Sequence, residues 1–319
     1  EWRATSWLSL HMGLRWEMAG APAEAHRLTP VPYPSDRNNF APRLALALKL
    51  PGRGGILRAV YGLHYGEIYP VTYGQTRYNP PLNQKFEIQA PDLLLPFQQL
   101  NIPVTPGARS TFVDVDPLLR SPYVHQYNLL WEPSLGRRFR LQLAYLGSRS
   151  QKLLFMWYTN RAVPTPGIPQ TTATINDRRP DPRYFDHRRI VNGSRGYFDA
   201  GRATLVMPSW QGLSVDASYW WSKAIDLGGP HTPPGAGDYG RQGLAQSEFF
   251  VWSDMRGPSV FDQRHAFLLR CNYSTPRLPA ATLLSKIAGK WDLSAVGLVK
   301  TGTPFTVFTG SDAPGFGNV

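Results

Sequence analysis

The side chains best placed for chemistry are few and scattered. Asp186 and His187 adjoin one another, His265 stands inside an apolar alternation, and Cys271 is the single cysteine. A nucleophile needs a base within reach and the base needs an orienting partner. No Gly-x-Ser-x-Gly, His-Glu-x-x-His or phosphate-cradling glycine loop provides that arrangement, so no catalytic residue is assigned and an enzyme is not expected. No Cys/His group has zinc-ligand spacing, and one cysteine excludes an intramolecular disulfide framework; neither a metal nor another cofactor is expected. The glycine-rich GGPHTPPGAGDYG (228–240) lacks the strand and helix that a nucleotide site requires. NDRRPDPRYFDHRR (176–189) interleaves arginine with aromatics as single-strand nucleic-acid readers do, but it has no period and falls between strands. It reads as a solvated loop, and nucleic acid is not expected as a partner.

A denser set of charges has a common placement. Arg15, Arg43, Lys49, Arg58, Arg138, Arg140, Arg202, Arg264, Arg270 and Lys300, against Glu17, Glu132, Asp216 and Asp292, all occupy the polar phase of a period-two alternation. A helix cannot sort residues that way; a strand does. In 7–17, Leu8, Leu10, Met12, Leu14 and Trp16 alternate with Ser9, His11, Gly13, Arg15 and Glu17. The same pattern returns in 43–50, 56–66, 123–132, 138–148, 201–207, 212–223, 264–274 and 290–300, which makes nine strands.

Composition agrees with strands. Charged residues are 18% of the 319, below the usual ~25%, while 29 Gly and 30 Pro disfavour a helical bundle. The 40 aromatics (10 Trp, 15 Tyr, 15 Phe) exclude a disordered tail. No run nears the roughly 18 apolar residues of a spanning helix.

Loop length alternates with parity. PGRGG, PSLGR and PSWQG follow the second, fourth and sixth strands, whereas long Pro-, Asn- and Arg-rich connections such as 67–121 and 149–200 follow the odd ones. Strands of about 9–11 residues match a tilted bilayer crossing, and short turns opposite long loops are the pattern of outer-membrane barrels. Apolar-phase aromatics gather near strand ends: Trp16, Tyr65, Tyr145, Tyr219 and Trp221 at the long-loop side, Trp7, Trp131, Tyr273 and Trp291 at the other. They read as two interfacial girdles. The expected fold is therefore all-β, an antiparallel transmembrane barrel segment of about nine long up-and-down strands with short periplasmic turns and long extracellular loops.

The wording of these strands resembles the barrel of TonB-dependent outer-membrane receptors, of the large acidobacterial type with an Oar-like or carboxypeptidase-regulatory-like N-terminal domain. LSLHMGLRWE, NNFAPRLALAL, LRAVYGLHYG, SPYVHQYNLLWE, LQLAYLGSRSQKL, DASYWWSKAID, VFDQRHAFLL and KWDLSAVGLVKTGTPFTV follow the family's order over nearly the whole chain. The resemblance implies a barrel of about 22 strands around a plug, preceded by a TonB-contacting box. Residues 1–319 then read as an interior slice of an incomplete barrel, with plug and remaining strands elsewhere. It further implies the outer membrane of a Gram-negative bacterium, uptake of an external solute by energised gating, and as partners membrane lipid and lipopolysaccharide, the plug, the TonB complex and the solute.

The charged candidates of the lumen are Arg58, Arg138, Arg140, Arg202, Asp216, Arg264 and Arg270. Either they pair with one another and with the plug, or some attract an anionic solute. No ligand-binding residue is assigned. Two other classes stay open: a soluble secreted β-sandwich that binds carbohydrate through its aromatics, and a plug-free porin or adhesin barrel.

Overall fold

The computed structural model is all-β and describes residues 2–69, 74–80, 94, 110–227, 255–276, 291–305 and 315, with 24, 28, 29 and 137 excepted. The glycine-rich 228–240, most of 67–121, most of the turn 275–289 and the closing phrase beyond 305 lie outside the described residues.

Twelve strands form one sheet: β1 (Trp2–Arg3), β2 (Leu8–Ala19), β3 (Asp36–Leu50), β4 (Gly55–Tyr65), β5 (Ser110–Val115), β6 (Tyr123–Glu132), β7 (Arg140–Tyr158), β8 (Tyr184–Trp210), β9 (Leu213–Asp226), β10 (Gly257–Pro258), β11 (His265–Ser274) and β12 (Asp292–Lys300). The path β1-β2-β3-β4-β6-β7-β8-β9-β11-β12 is antiparallel throughout, each strand beside its predecessor on the path. Short β10 pairs with β9, and β5 lies parallel to β8. All nine expected strands are present as β2, β3, β4, β6, β7, β8, β9, β11 and β12. A single sheet replaces the sandwich, which needs two sheets packed face to face.

Register carries one face across all nine. The row Leu8, Leu48, Leu57, Trp131, Leu143, Ala203, Tyr219, Phe267, Val299 runs from partner to partner. The neighbouring row Ser9, Ala47, Arg58, Leu130, Ala144, Arg202, Trp220, Ala266, Lys300 belongs to the other face. Because a slip of one residue would exchange the faces, their agreement along eight ladders ties the sequence phase to the sheet. The apolar face is open, with Met12 68% and Leu14 69% exposed. Buried wall residues Ala41, Ala144, Ala200, Thr204, Ser218 and Ala224 all lie on the polar face, where side chains crowd as they do inside a curved sheet.

The short turns close one end. Gly52–Gly54 is a 3-10 turn between β3 and β4, and Gln211–Gly212 joins β8 to β9 with both residues at positive φ (49° and 87°), as a type I′ hairpin demands. At Gly212 a Cβ would collide with the Ser274 carbonyl, so the adjacent strand admits only glycine there. Trp131 belongs to this end: its indole N–H donates to the Gly54 carbonyl (2.8 Å).

At the other end the structure corrects the sequence reading. Residues 149–200 are no single loop: β7 continues to Tyr158 and β8 begins at Tyr184, leaving only 159–183 as the connection. At about 3.3 Å per residue, the 27 residues of β8 reach roughly 90 Å, far beyond a ~30 Å hydrocarbon layer. In a bilayer-crossing sheet the excess would stand outside the membrane; beside it lies the only apolar core cluster among the described residues, Tyr33, Val113, Val115, Leu119 and Ile190. In this stretch β8 pairs with β5 and β7, and its side chains from 187 to 194 are half-buried or buried on both parities instead of alternating.

Candidate functional site

The polar face, rather than any triad, is the site that the strands create. A hollow of about 690 Å³ in it is bordered by His11 of β2, Arg43 of β3, His64 of β4, Gln126 and Asn128 of β6 and Ser148 of β7. These residues meet because their parity points them to the same side while the ladders place their strands ~4.8 Å apart. Asn128 Oδ1 is buried here without a hydrogen-bond partner. The alternation puts all six on the polar face, but it does not mark them as lining a hollow, since period two says nothing about curvature.

The seven charged candidates separate into groups. Arg58 forms an ion pair with Glu132, which also accepts from Gln142 Nε2 at 2.9 Å, so three strands share one neutralised cluster. Arg202 lies over the Trp220 ring at 5.2 Å, and its Nε is buried without a hydrogen bond. Asp216 and Arg270 are direct partners across β9 and β11. Arg140 opens β7 opposite Val206. Arg264 sits just before β11, its carbonyl accepting the Ser222 N–H at 2.9 Å. Arg138 departs from the expectation: it precedes β7 in the turn region, with its guanidinium 5.6 Å from the Trp210 ring. The turn after β6 consumes the residue, so the strand phase does not act on it.

The arginine-rich run 176–189 is also reassigned. Arg178 and Arg179 are buried rather than solvated. Arg178 donates to the carbonyls of Thr171 (3.0 Å) and Gly315 (2.5 Å), and Arg179 to that of Asn160 (2.7 Å). Guanidinium donors satisfy carbonyls that a loop cannot pair internally, so these side chains pin the connection instead of presenting charge. In the same outer extension, Asp114 of β5 faces His187 (3.7 Å) and Arg189 (3.1 Å) of β8. Burial alone would raise its pKa; the nearby His187 imidazole and the charge of Arg189 outweigh that and hold it below the ordinary aspartate value. Among the described residues no three His, Cys, Asp or Glu side chains group as metal ligands would.

What the arrangement does chemically is bind and line. It offers a basic polar wall on one side and an apolar surface on the other.

Residues 29–319 match the family described as outer membrane beta barrel domain. No curated protein is similar enough to match. Among solved structures, similarity is found to the outer membrane transporter YddB from Escherichia coli, with a TM-score of 0.48 and 9% identity over 91% of this chain and 36% of that one. The FrpB iron transporter from Neisseria meningitidis (F3-3 variant) gives 0.42 and 10%, over 93% and 35%. The alcaligin outer membrane receptor FauA from Bordetella pertussis gives 0.37 and 14%, over 88% and 33%. The chain thus spans about a third of the length of these proteins.

Proposed function

The chain belongs to the outer membrane beta barrel domain family, whose strands cross the outer membrane of a Gram-negative bacterium, and from that premise we propose that it forms part of the wall of a TonB-dependent receptor of the Oar-like type. In this reading residues 1–319 are a partial barrel. A plug fills the polar side, an external solute binds above it, and energy relayed by TonB rearranges the plug to admit the solute.

The observation that carries the reading is the wall itself: nine antiparallel strands in one register, apolar on the open face and basic on the crowded one. Such a wall closed on itself is a pore, and its charged lining needs a partner in the lumen. Arg43, Arg140, Arg202, Arg264 and Arg270 would attract an anionic solute or plug carboxylates, whereas Arg58 is already committed to Glu132. The work is selective binding and gated passage, without bond chemistry.

A plug separates this reading from a plug-free porin. The full-length protein in a planar bilayer in potassium chloride should stay closed, and the purified C-terminal domain of TonB should bind it. A steady ohmic current together with no TonB binding would replace the receptor by a porin.

A further inference from the structure

The basic wall carries an apolar island. In the same phase as Arg202, Ser218, Arg270 and Lys300, the register also brings Phe198 of β8, Trp220 of β9, Ala266 and Leu268 of β11 and Leu298 of β12 to the polar face. Together with Phe261 they border a hollow of about 360 Å³. A wall that faces a wet lumen selects polar side chains, so three aromatic rings and two leucines gathered on it mark a place where something apolar is to be covered. Ser222 and Arg264, at the long-loop end of the β9–β11 ladder, set the height: the hollow lies toward the outer mouth.

Phe261 is placed by its neighbours. Asp262, buried, accepts the Ala224 N–H (2.6 Å) and the Lys223 ammonium (2.7 Å), the Ser259 N–H donates to the Ala224 carbonyl (3.1 Å), and the Ser222 hydroxyl donates to the Gln263 carbonyl (2.7 Å). These bonds fix residues 259–263 along the end of β9 and leave the Phe261 ring 64% exposed beside the hollow. A ring on an anchored backbone has little freedom left to lose when a ligand covers it. Arg202 supplies the charge. Its guanidinium lies over the Trp220 ring at 5.2 Å, its Nε is buried without a hydrogen bond, and among the described residues no carboxylate pairs with it. Lys300, across the ladder from Ala266, adds a second cation. The nearby acids are used elsewhere: Asp262 is paired with Lys223, and Asp216 stands opposite Arg270.

We infer that this hollow binds an aromatic carboxylate, its ring system against Trp220, Phe198 and Phe261 and its carboxylate at Arg202, with Lys300 nearby. The inference rests on the receptor reading above and gives it a class of solute. Size and chemistry select the occupant. A hollow of about 360 Å³ stands at the small end of ligand sites, with room for one or two fused rings. A guanidinium resting on an aromatic face keeps its N–H edge for a planar anion, which a carboxylate fits through two parallel hydrogen bonds. An inorganic anion would leave the rings uncovered, and a neutral arene would leave Arg202 without a counter-charge.

The test uses the full-length protein in lipid nanodiscs, titrated calorimetrically with naphthoate against a blank of empty nanodiscs. Arg202→Gln should weaken binding about tenfold and Phe261→Ser about fivefold. Arg53→Gln, an equal loss of charge in the exposed turn at the opposite end, should leave the affinity unchanged. Naphthamide, which lacks the charge, and acetate, which lacks the rings, should each bind at least about tenfold more weakly than naphthoate. A folded wild type that takes up no naphthoate, equal affinity for naphthoate and naphthamide, or equal affinity in wild type and Arg202→Gln overturns the inference; Phe261→Ser, at an exposed side chain, decides if Arg202→Gln fails to fold. TonB binding and bilayer conductance report the receptor separately. A closed protein that binds TonB and no naphthoate defeats only the solute class, and one that binds naphthoate while conducting freely without TonB keeps the site and defeats the receptor.

Discussion

Leu143 and Gln142 are neighbours in β7 with opposite surroundings: Leu143 stands between Trp131 and Ala203 on the apolar face, and Gln142 donates to Glu132 on the polar one. Arginine at Leu143 must place its charge in lipid, while at Gln142 it joins a polar wall beside a carboxylate. Leu143→Arg is expected to cost about 2–4 kcal/mol in a membrane-folding titration of the full-length protein, and Gln142→Arg much less. Equal losses would mean that the faces are misassigned. Asp114 makes a second residue-scale prediction, outside the bilayer. Its carboxyl is held below the ordinary value, so its contribution to docking β5 on β8 is present above the usual aspartate range and is lost as pH falls through the folded value. Hydrogen exchange of β5 amides should accelerate below about pH 4, referred to the ordinary aspartate pKa. Asp114→Asn should reproduce the loss at neutral pH, while amides of β2, β3 and β4 keep their protection.

At the scale of elements, the turns and the extensions decide different things. The two-residue turn at Gln211–Gly212 fixes the β8–β9 register, and Gly212 cannot carry a side chain without meeting the Ser274 carbonyl. Gly212→Ala should therefore cost on the order of 2 kcal/mol or more. Gly201→Ala, in open space on β8, should stay within about 0.5 kcal/mol, both read in the same titration. Topology is checked at the ends. A tag inserted at Thr171, in the connection between β7 and β8, should bind antibody on intact cells, and a tag in the Gly52–Gly54 turn should not. Reversed labelling would turn the barrel over.

At the scale of the whole molecule, the described sheet is open. β12 has one partner, β11, and the apolar face from Leu14 to Val299 has no protein against it among the described residues. Unpaired edge amides are satisfied by water but not by lipid, and apolar surface the reverse, so neither solvent suits the sheet alone. The isolated 319-residue chain is expected to aggregate in plain buffer and to disperse only with detergent. A monodisperse, cooperatively unfolding monomer without detergent, by size exclusion and denaturant titration, would contradict a membrane wall.

The period of two in segments such as Leu8–Trp16 and Leu213–Trp221 was sufficient to assign nine strands, their two faces and the parity of their turns, because lipid on one side and a polar lumen on the other act on each residue separately. Nothing in that signal reports who stands opposite whom. The Arg58–Glu132–Gln142 cluster, the hollow between His11 and Ser148 and the apolar island around Trp220 exist only once the ladders are in register. The outer half of β8, β5 beside it and buried Arg178 were illegible for a related reason. In that extension side chains of both parities are half-buried or buried, so alternation vanishes, and an arginine that pins carbonyls looks in sequence like one that faces water. Environment imposed residue by residue is written into the chain; partnership between distant segments is decided by the tertiary structure.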